Sequence, residues 1–401
     1  MQYRKDKKSN NELSALGMGV MRLPATLGKV DLQKADEVIM AAINSGINYF
    51  DTAYIYPGSE VALGYVLDKN KVRDKVYIAT KLPIFLCQKR EDFDKYFSTQ
   101  LERLKTDYID YYLLHMLCNQ SDFDRLKNLG VLQWAEEKRQ QGKIKQFGFS
   151  FHGATDDFIS ITDSYDWDFC MIQYNYVNIN YQAGLKGLQH AHSKGMPVFI
   201  MEPLLGGRLA NALPEKAVKI MKANNATATP AAWALRWLWN QPEVTLVLSG
   251  MNQVAQITEN TTLATQTEIN SMTAAELVVI DQVIQVFAES YKIPCTGCNY
   301  CLPCPANINI PGAFAGYNSS FAIGRMAGMG QYAQSMSATS ANPSSVTKCV
   351  RCGKCEKHCP QNIKIMDSLI DVKNRMEPPV YRFGLAIFRK IVHRKNKKVA
   401  K

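Results

Sequence analysis

Cysteine is the residue type whose spacing says most about chemistry in this sequence. Of the eleven cysteines among the 401 residues, eight lie in two short runs near the C-terminal end. The second run reads C-x-x-C-x-x-C-x-x-x-C-P, a spacing typical of thiolates that ligate a 4Fe–4S cluster. The sequence therefore predicts iron–sulfur chemistry, and with it electron transfer, in this region. The runs are Cys295, Cys298, Cys301 and Cys304, followed by Pro305, and Cys349, Cys352, Cys355 and Cys359, followed by Pro360.

The number of clusters depends on what the fourth cysteine of each run binds. In two-cluster ferredoxins that cysteine ligates the other cluster. By this rule Cys304 joins Cys349, Cys352 and Cys355, whereas Cys359 joins the first three cysteines of the first run. The first run has two residues rather than three before its last cysteine. A single cluster on the second run and a four-cysteine zinc site therefore stay open, although the repeated pattern favours two clusters.

Four side chains nearer the N-terminus are of types that together can move a proton: Asp51, Tyr56, Lys81 and His115. A phenol has a pKa of about 10, and a neighbouring ammonium favours its deprotonated form. Lys81 would supply that charge to Tyr56, Asp51 would hold Lys81, and His115 would orient the substrate oxygen. Such a set suits protonation of a carbonyl oxygen while hydride arrives from a nicotinamide or a flavin. Taken singly, each residue is also typical of a solvated or structural side chain.

Short apolar runs alternate with helical stretches over the first 290 residues. This pattern predicts an α/β fold, specifically a (β/α)8 TIM barrel, whose chemistry lies at the C-terminal ends of the strands. A doubly wound sheet is the alternative, but no G-x-G-x-x-G follows the first strand. Asp51, Lys81 and His115 stand at the ends of the second, third and fourth predicted strands. The eight predicted strands are Ala15–Val20, Asn48–Thr52, Val76–Thr80, Ile109–Leu114, Gln146–Ser150, Cys170–Tyr174, Val198–Met201 and Val244–Leu248.

The segments YFDTAYIYPGSEVALGYVL, IATK and LLHM, in this order, resemble the aldo/keto reductase family. The resemblance covers about the first two-thirds of the chain. It implies a (β/α)8 barrel that binds NAD(P)H without a Rossmann fold, and a small-molecule carbonyl substrate. It also implies that Asp51, Tyr56, Lys81 and His115 are the catalytic tetrad.

The same resemblance implies a set of nucleotide contacts. Met201 stands where the family typically places an aromatic residue on the nicotinamide, and Phe151 stands where it usually has asparagine. Asn252, Gln253 and Gln256 are neutral where the family often has basic residues for the 2′-phosphate of NADP. Because phosphate binds best to charged donors, we expect weak discrimination between NADH and NADPH. The implied contacts are Ser150, Gln173, Met201, Ser249, Gly250, Gln256, Glu259 and Asn260.

The chain is predicted to have three parts. Residues 1–290 form the barrel, residues 291–375 a small α-helical ferredoxin-type domain, and residues 376–401 a basic tail. The combination resembles a branch of aldo/keto reductases with a C-terminal 4Fe–4S domain. The stretch 273–290 is expected to close the barrel.

The net charge of +11 lies in the two ends of the chain, with +3 in residues 1–8 and +8 in residues 381–401. The neutral body between them argues against nucleic-acid binding. In the tail, Phe383, Ile387 and Ile391 recur at helical spacing among basic residues, so it would either contact an anionic membrane surface or remain solvated. The polar start and the clustered thiols indicate a cytoplasmic protein.

The leading hypothesis is an NAD(P)H-dependent oxidoreductase with Tyr56 as the general acid and an iron–sulfur module that exchanges electrons with a redox protein partner. A hydride carries two electrons and a cluster carries one, so the clusters are alternatively structural or redox-sensing. A different class of function is a nucleotide-sensing interaction protein with little turnover.

Overall fold

The computed structural model describes residues 1–26, 28–322, 324–336, 344–379 and 381. Within these residues, eight parallel strands close a barrel in which each strand pairs with its neighbours in sequence and the last pairs with the first. This architecture confirms the predicted fold class, and every strand overlaps its predicted range. The strands are β1 Leu16–Gly19, β2 Tyr49–Asp51, β3 Tyr77–Leu82, β4 Ile109–Leu117, β5 Ile144–Phe151, β6 Phe169–Gln173, β7 Val198–Met201 and β8 Val244–Ser249.

Helices separate the strands, and capping residues define where they begin and end. The Asp31 side chain accepts a hydrogen bond from the Lys34 N–H at the start of the first helix, and Gly46 lies beyond its end at a φ of +89°. Two antiparallel pairs precede the second strand, namely Tyr3–Lys5 with Glu12–Ser14 and Ala25–Thr26 with Lys29–Val30. The helices are Leu32–Asn44, Ser59–Asn70, Glu91–Leu104, Gln120–Asn128, Val131–Gln140, Thr155–Asp163, Gly184–Ser193, Pro230–Trp239 and Val254–Gln266.

The barrel interior is filled by aromatic rings near the N-terminal ends of the strands. Four rings pack in a closed circle, in which the centroids of neighbouring rings are 5.0–5.2 Å apart. They belong, in order, to Tyr49, Tyr111, Phe169 and Phe199. Gly17 faces the same interior, where a Cβ atom would come within 2.9 Å of the Leu248 side chain. This packed interior leaves the opposite rim as the place for polar chemistry.

The chain forms two compact units, of which the first comprises Met1–Leu204 and Ala231–Thr273. The second unit comprises Leu205–Pro230 and the residues from Ala274 onwards, so the helix Ala274–Ser290 belongs to it and packs against Glu215–Asn224. The predicted boundary at residue 290 stays a prediction. The other helices of the second unit are Arg208–Asn211, Ile310–Ala322, Arg325–Ser335, Lys354–Lys357 and Ile365–Met376.

The second unit has a hydrophobic core of its own, in which the cysteines pack beside buried residues such as Phe314, Tyr332 and Val372. The buried carboxylate of Glu377 accepts hydrogen bonds from the Tyr332 hydroxyl at 2.5 Å and the Ser345 hydroxyl at 2.7 Å. The unit is helical throughout its described regular structure, as the sequence predicted for the cysteine-rich region.

The three apolar residues of the predicted tail, Phe383, Ile387 and Ile391, lie outside the described residues. In the part of the chain that is described, no helix combines the length and the apolar character needed to cross a membrane.

Candidate active site and cysteine module

The inward-facing side chains become polar at the C-terminal rim of the barrel. Side chains alternate along a strand, so a residue two positions after an inward-facing one also faces inward. Tyr49, Ala79 and Leu113 belong to the interior cluster, and two positions after them stand the three polar residues at the rim. These residues are Asp51 on β2, Lys81 on β3 and His115 on β4.

Lys81 and Asp51 form a buried ion pair. The Lys81 ammonium donates to Oδ1 of Asp51 at 2.6 Å and to the Thr52 carbonyl oxygen at 2.7 Å. Both side chains are buried, Lys81 at 1% and Asp51 at 5% exposure. Burial lowers the pKa of Lys81 and raises the pKa of Asp51, while the attraction between the two charges opposes both shifts.

Tyr56 lies in the loop after β2, where its N–H donates to the Ala53 carbonyl oxygen at 3.0 Å. The Lys81 nitrogen is 5.2 Å from the centroid of the Tyr56 ring. The rings of Tyr56 and His115 meet edge to face, with centroids 5.8 Å apart. The structure thus brings all four predicted tetrad residues together at one rim.

His115 is held as a neutral imidazole. Burial lowers its pKa well below the usual value for histidine, and the charges of Lys81 and His152 lower it further. Among the described residues, Nδ1 of His115 is buried without a hydrogen-bond partner. Buried polar atoms are normally satisfied, so this arrangement fits a site where a ligand supplies further contacts.

His152 is a residue of the site that the sequence reasoning missed. It is 7% exposed, its charge acts on His115, and its own pKa is lowered to about 4, first by burial. The Gln182 side chain forms a hydrogen bond that opposes this shift. The signal was available, because His152 stands two positions after Ser150 in GFSFHG and strand alternation places both on the inner face.

Ser150 stabilises an irregularity in the strand that carries His115. The β4–β5 register shifts between Leu114 and Leu117, so β4 has one extra residue there. The Ser150 hydroxyl accepts from the Met116 N–H at 2.9 Å and lies 3.5 Å from the Leu114 carbonyl oxygen. Met116 has a φ of +63°, which is uncommon outside glycine. Ser150 was predicted to contact the nicotinamide, and the structure gives it contacts to the backbone on both sides of His115.

The remaining predicted nucleotide residues follow the rim from β6 to the helix after β8. Gln173 and Ser249 are buried at the ends of β6 and β8, Met201 is half-buried at the end of β7, and Gly250 is exposed. Their amide, hydroxyl and thioether groups are of types that can hold a nicotinamide by hydrogen bonds and packing.

The helix Val254–Gln266 carries the other three predicted nucleotide residues. Asn260 is buried, Glu259 is exposed, and the Gln256 side chain accepts a hydrogen bond from the Asn252 N–H at 3.0 Å. Gln256 is therefore engaged with the loop that precedes the helix. The first backbone N–H groups of this helix are of the kind that binds phosphate.

The cysteine module is the part of the second unit that carries the two cysteine runs, residues 295–359. In it, the last cysteine of each run lies close to the first three cysteines of the other run. Cys304 lines one cavity together with Cys349, Cys352 and Cys355, and Cys301 also borders it. Burial raises the pKa of Cys301, and the neighbouring thiols of Cys295, Cys298 and Cys359 raise it further. Each group of four includes three cysteines of one run and the last cysteine of the other. Crossed ligation would use these two groups, and it stays a prediction.

A zinc ion and a 4Fe–4S cluster place different demands on four cysteine thiolates. Among the described residues, no group of three or more His, Cys, Asp or Glu side chains is arranged around a single metal position. A 4Fe–4S cluster spreads its four thiolates around four irons, whereas zinc requires all four at one point.

The first run is also held from a distant segment of the same unit. Nε of Arg208 donates to the Cys295 carbonyl oxygen at 2.8 Å, and the Tyr291 hydroxyl donates to the same oxygen at 2.8 Å. The Arg208 guanidinium lies 5.3 Å from the Tyr291 ring centroid. Gly206 packs so closely that a Cβ atom would be 2.1 Å from the Thr296 carbonyl oxygen.

Comparisons with known families agree with both parts of this description. The aldo/keto reductase family profile matches residues 15–281, which is more than half of the chain. A profile described as a 4Fe–4S dicluster domain matches residues 294–363.

Individual relatives are similar over most of their length. L-galactose dehydrogenase of Arabidopsis thaliana is 27% identical over 302 residues, covering 68% of this chain and 91% of that protein. The NADH-specific methylglyoxal reductase of Escherichia coli is 26% identical over 297 residues, covering 62% and 89%. The barrel fold is shared with a holo aldo-keto reductase of Bacillus halodurans, at a TM-score of 0.58 and 23% identity over 71% of this chain and 96% of that one. An aldo-keto reductase of Klebsiella pneumoniae in complex with NADPH gives the same TM-score at 22% identity, over 71% and 95%.

Proposed function

The chain belongs to the aldo/keto reductase family, and we propose that it reduces a small-molecule carbonyl with NAD(P)H, with Tyr56 as the proton donor. The observation that supports this most strongly is the meeting of Tyr56 with the Lys81 ammonium and the His115 ring at one rim of the barrel. A phenol, a cation and a neutral imidazole at one place form an acid that can act on an oxygen atom.

Each residue has a distinct task in this proposal. The nicotinamide supplies hydride to the carbonyl carbon when it is bound. Tyr56 gives its hydroxyl proton to the carbonyl oxygen, and Lys81 stabilises the negative charge that develops on the phenol oxygen. Neutral His115 donates a hydrogen bond to the same carbonyl oxygen, which orients it towards Tyr56. Asp51 keeps Lys81 charged and fixed in spite of its burial.

Ser150, Gln173, Met201 and Ser249 would hold the nicotinamide end of the nucleotide, and the start of the helix Val254–Gln266 its phosphates. The neutral side chains of residues 252–256 support the use of both NADH and NADPH. The relatives differ among themselves, since one is named as NADH-specific and another was solved with NADPH. Turnover measured with each nucleotide tests this point, and a strong preference for NADPH would contradict it.

Tyr56→Phe tests the mechanism. We expect it to lower kcat by about 10²- to 10⁴-fold, because general acid catalysis typically contributes that much. Nucleotide affinity, followed by quenching of protein fluorescence, should stay unchanged. Tyr54→Phe is the matched control, since it removes a hydroxyl from the same loop on a ring that packs against Tyr96. Unchanged turnover in Tyr56→Phe would reject the mechanism and favour a nucleotide-sensing protein.

For the cysteine module we propose two 4Fe–4S clusters with crossed ligation. The support is the grouping of Cys304 with the second run and of Cys359 with the first. In anaerobically purified protein, Cys304→Ser should change the electron paramagnetic resonance signal of one cluster and Cys359→Ser that of the other. Cys118→Ser, in the first unit, is the control and should change neither. Purified protein that contains zinc, but neither iron nor acid-labile sulfide, would contradict the proposal.

The module would exchange single electrons with a redox protein. Cys352 is the exposed member of the two runs, and Lys354 and Lys357 are exposed beside it. An acidic electron carrier is therefore the partner type that this surface suits, because opposite charges steer such encounters.

A further inference from the structure

A second carboxylate is buried behind the catalytic lysine. Glu60 lies in the first turn of the helix Ser59–Asn70 and is 2% exposed. Its Oε1 atom accepts hydrogen bonds from the Thr80 hydroxyl at 2.6 Å and from the Gln100 amide at 2.9 Å. Its Oε2 atom accepts from the Arg103 guanidinium at 3.0 Å. A buried carboxylate costs folding free energy unless it is paired in this way. Apolar residues of similar volume could fill the same space without that cost.

The network reaches Lys81 directly. The Gln100 amide nitrogen, which donates to Glu60, also donates to the Lys81 carbonyl oxygen at 3.1 Å. The Gln100 amide oxygen accepts from the Tyr112 hydroxyl at 2.7 Å, which fixes the orientation of the amide. Thr80, which binds Glu60, is the residue before Lys81 on β3. The end of β3 is therefore fixed on its outer side by Glu60 and Gln100 and on its inner side by Asp51.

We propose that Glu60 is a positioning residue for the reaction, a second fixed negative charge that acts with Asp51 to hold Lys81 in place and charged. This inference rests on the proposed function of the tetrad. Burial disfavours the ammonium of Lys81, and the two carboxylates oppose that effect. The charged groups that act on Lys81 are Asp51 from β2 and Glu60 from the helix Ser59–Asn70. Tyr56 faces Lys81 from its loop, and the charge of Lys81 acts in turn on His115 from β4 and on His152, directly after β5. Arg103, from the helix Glu91–Leu104, neutralises part of the Glu60 charge.

Glu60→Gln removes the charge and keeps the shape and an acceptor oxygen. Without that charge Lys81 should lose its proton at a lower pH. The basic limb of the kcat profile, which is the fall of kcat at high pH, should therefore move to lower pH by about half a pH unit or more. The assay uses methylglyoxal and benzaldehyde with NADH on the full-length protein, and nucleotide affinity should stay unchanged.

Two further variants separate charge from structure. Tyr112→Phe removes a hydrogen bond from the same network without changing any charge, so it should lower stability and leave the basic limb in place. Arg103→Met removes a cation that opposes the Glu60 charge, so it should move the limb up. This opposite shift also tests the proposal if Glu60→Gln does not fold.

A limb that stays in place in Glu60→Gln, or moves equally in Tyr112→Phe, would overturn the role of Glu60. If Glu60→Gln does not fold, a limb that does not rise in Arg103→Met would overturn it. Failure of the proposed function has a different signature, because Tyr56→Phe would then keep the turnover of the unmodified protein.

Discussion

The buried pair of Asp51 and Lys81 predicts a large loss of stability when one partner is removed. In Asp51→Asn the ammonium of Lys81 stays 1% exposed and loses its counter-charge at this position, while the amide oxygen of the substituted residue and the Thr52 carbonyl oxygen at 2.7 Å remain as acceptors. Breaking a buried pair in this way costs about 3–5 kcal/mol. Because Thr52 still accepts from Lys81, we expect the lower end, about 3 kcal/mol of unfolding free energy.

The pH dependence of this loss has a definite sign. In Asp51→Asn the pKa of Lys81 should fall further below that of an unfolded lysine, since its nearest counter-charge is gone. Between these two pKa values the unfolded chain binds more protons than the folded one, so stability rises with pH. The loss should therefore be smaller at pH 9 than at pH 6.

Urea unfolding followed by tryptophan fluorescence measures the effect in the relevant part of the molecule. All five tryptophans lie in the first compact unit, so their signal reports the unfolding of the barrel. The double variant with Asp51→Asn and Lys81→Met removes both charges, and its loss should be smaller than the sum of the single losses. An Asp51→Asn loss below about 1 kcal/mol, or additive losses in the double variant, would refute the reasoning.

Two further predictions concern residues at the C-terminal end of β5, Ser150 within the strand and His152 directly after it. The pKa of His152 is lowered to about 4, so its contribution to stability is present above about pH 6.5 and is lost as the pH falls through about 4. Urea unfolding at pH 7 and at pH 4 measures how much unfolding free energy each protein loses between the two pH values. This loss should be about 3 kcal/mol smaller in His152→Gln than in the unmodified protein. Equal losses would contradict this. Ser150→Ala leaves the Met116 N–H without its acceptor, so the free energy of unfolding should fall by about 1–3 kcal/mol. We also expect kcat to fall, because His115 would be displaced. Weaker nucleotide binding with an unchanged kcat would show instead that Ser150 acts on the nicotinamide alone.

Much of the fold could be predicted because the barrel strands are buried on both faces. Such strands are short, nearly continuous apolar runs, and Val198–Met201 was predicted with the bounds that it has in the structure. The C-terminal end of each run then marks the catalytic rim, which is why Asp51, Lys81 and His115 were predicted together. Sequence pattern and barrel geometry carry this information without any knowledge of side-chain contacts.

Other features depend on contacts that no local pattern contains. The extra residue of β4 is visible only when its register with β5 is known. Glu60 looks like an ordinary helix-start carboxylate until Gln100 and Arg103 are placed against it from another helix. Arg208 reaches Cys295 across 87 positions of sequence.

The proposed chemistry of the barrel balances without the clusters. A carbonyl, one hydride from the nicotinamide and one proton from Tyr56 give an alcohol, so two electrons and two hydrogen nuclei enter, and Tyr56 regains its proton from solvent. Any electron that the clusters carry therefore belongs to a second half-reaction. Because each cluster passes one electron and a nicotinamide passes two, a link between the reactions requires a carrier that can do both, such as a flavin on a partner protein. In this proposal the tetrad alone carries out the carbonyl reduction, and the exposed Cys352 belongs to the module that would carry out the second reaction.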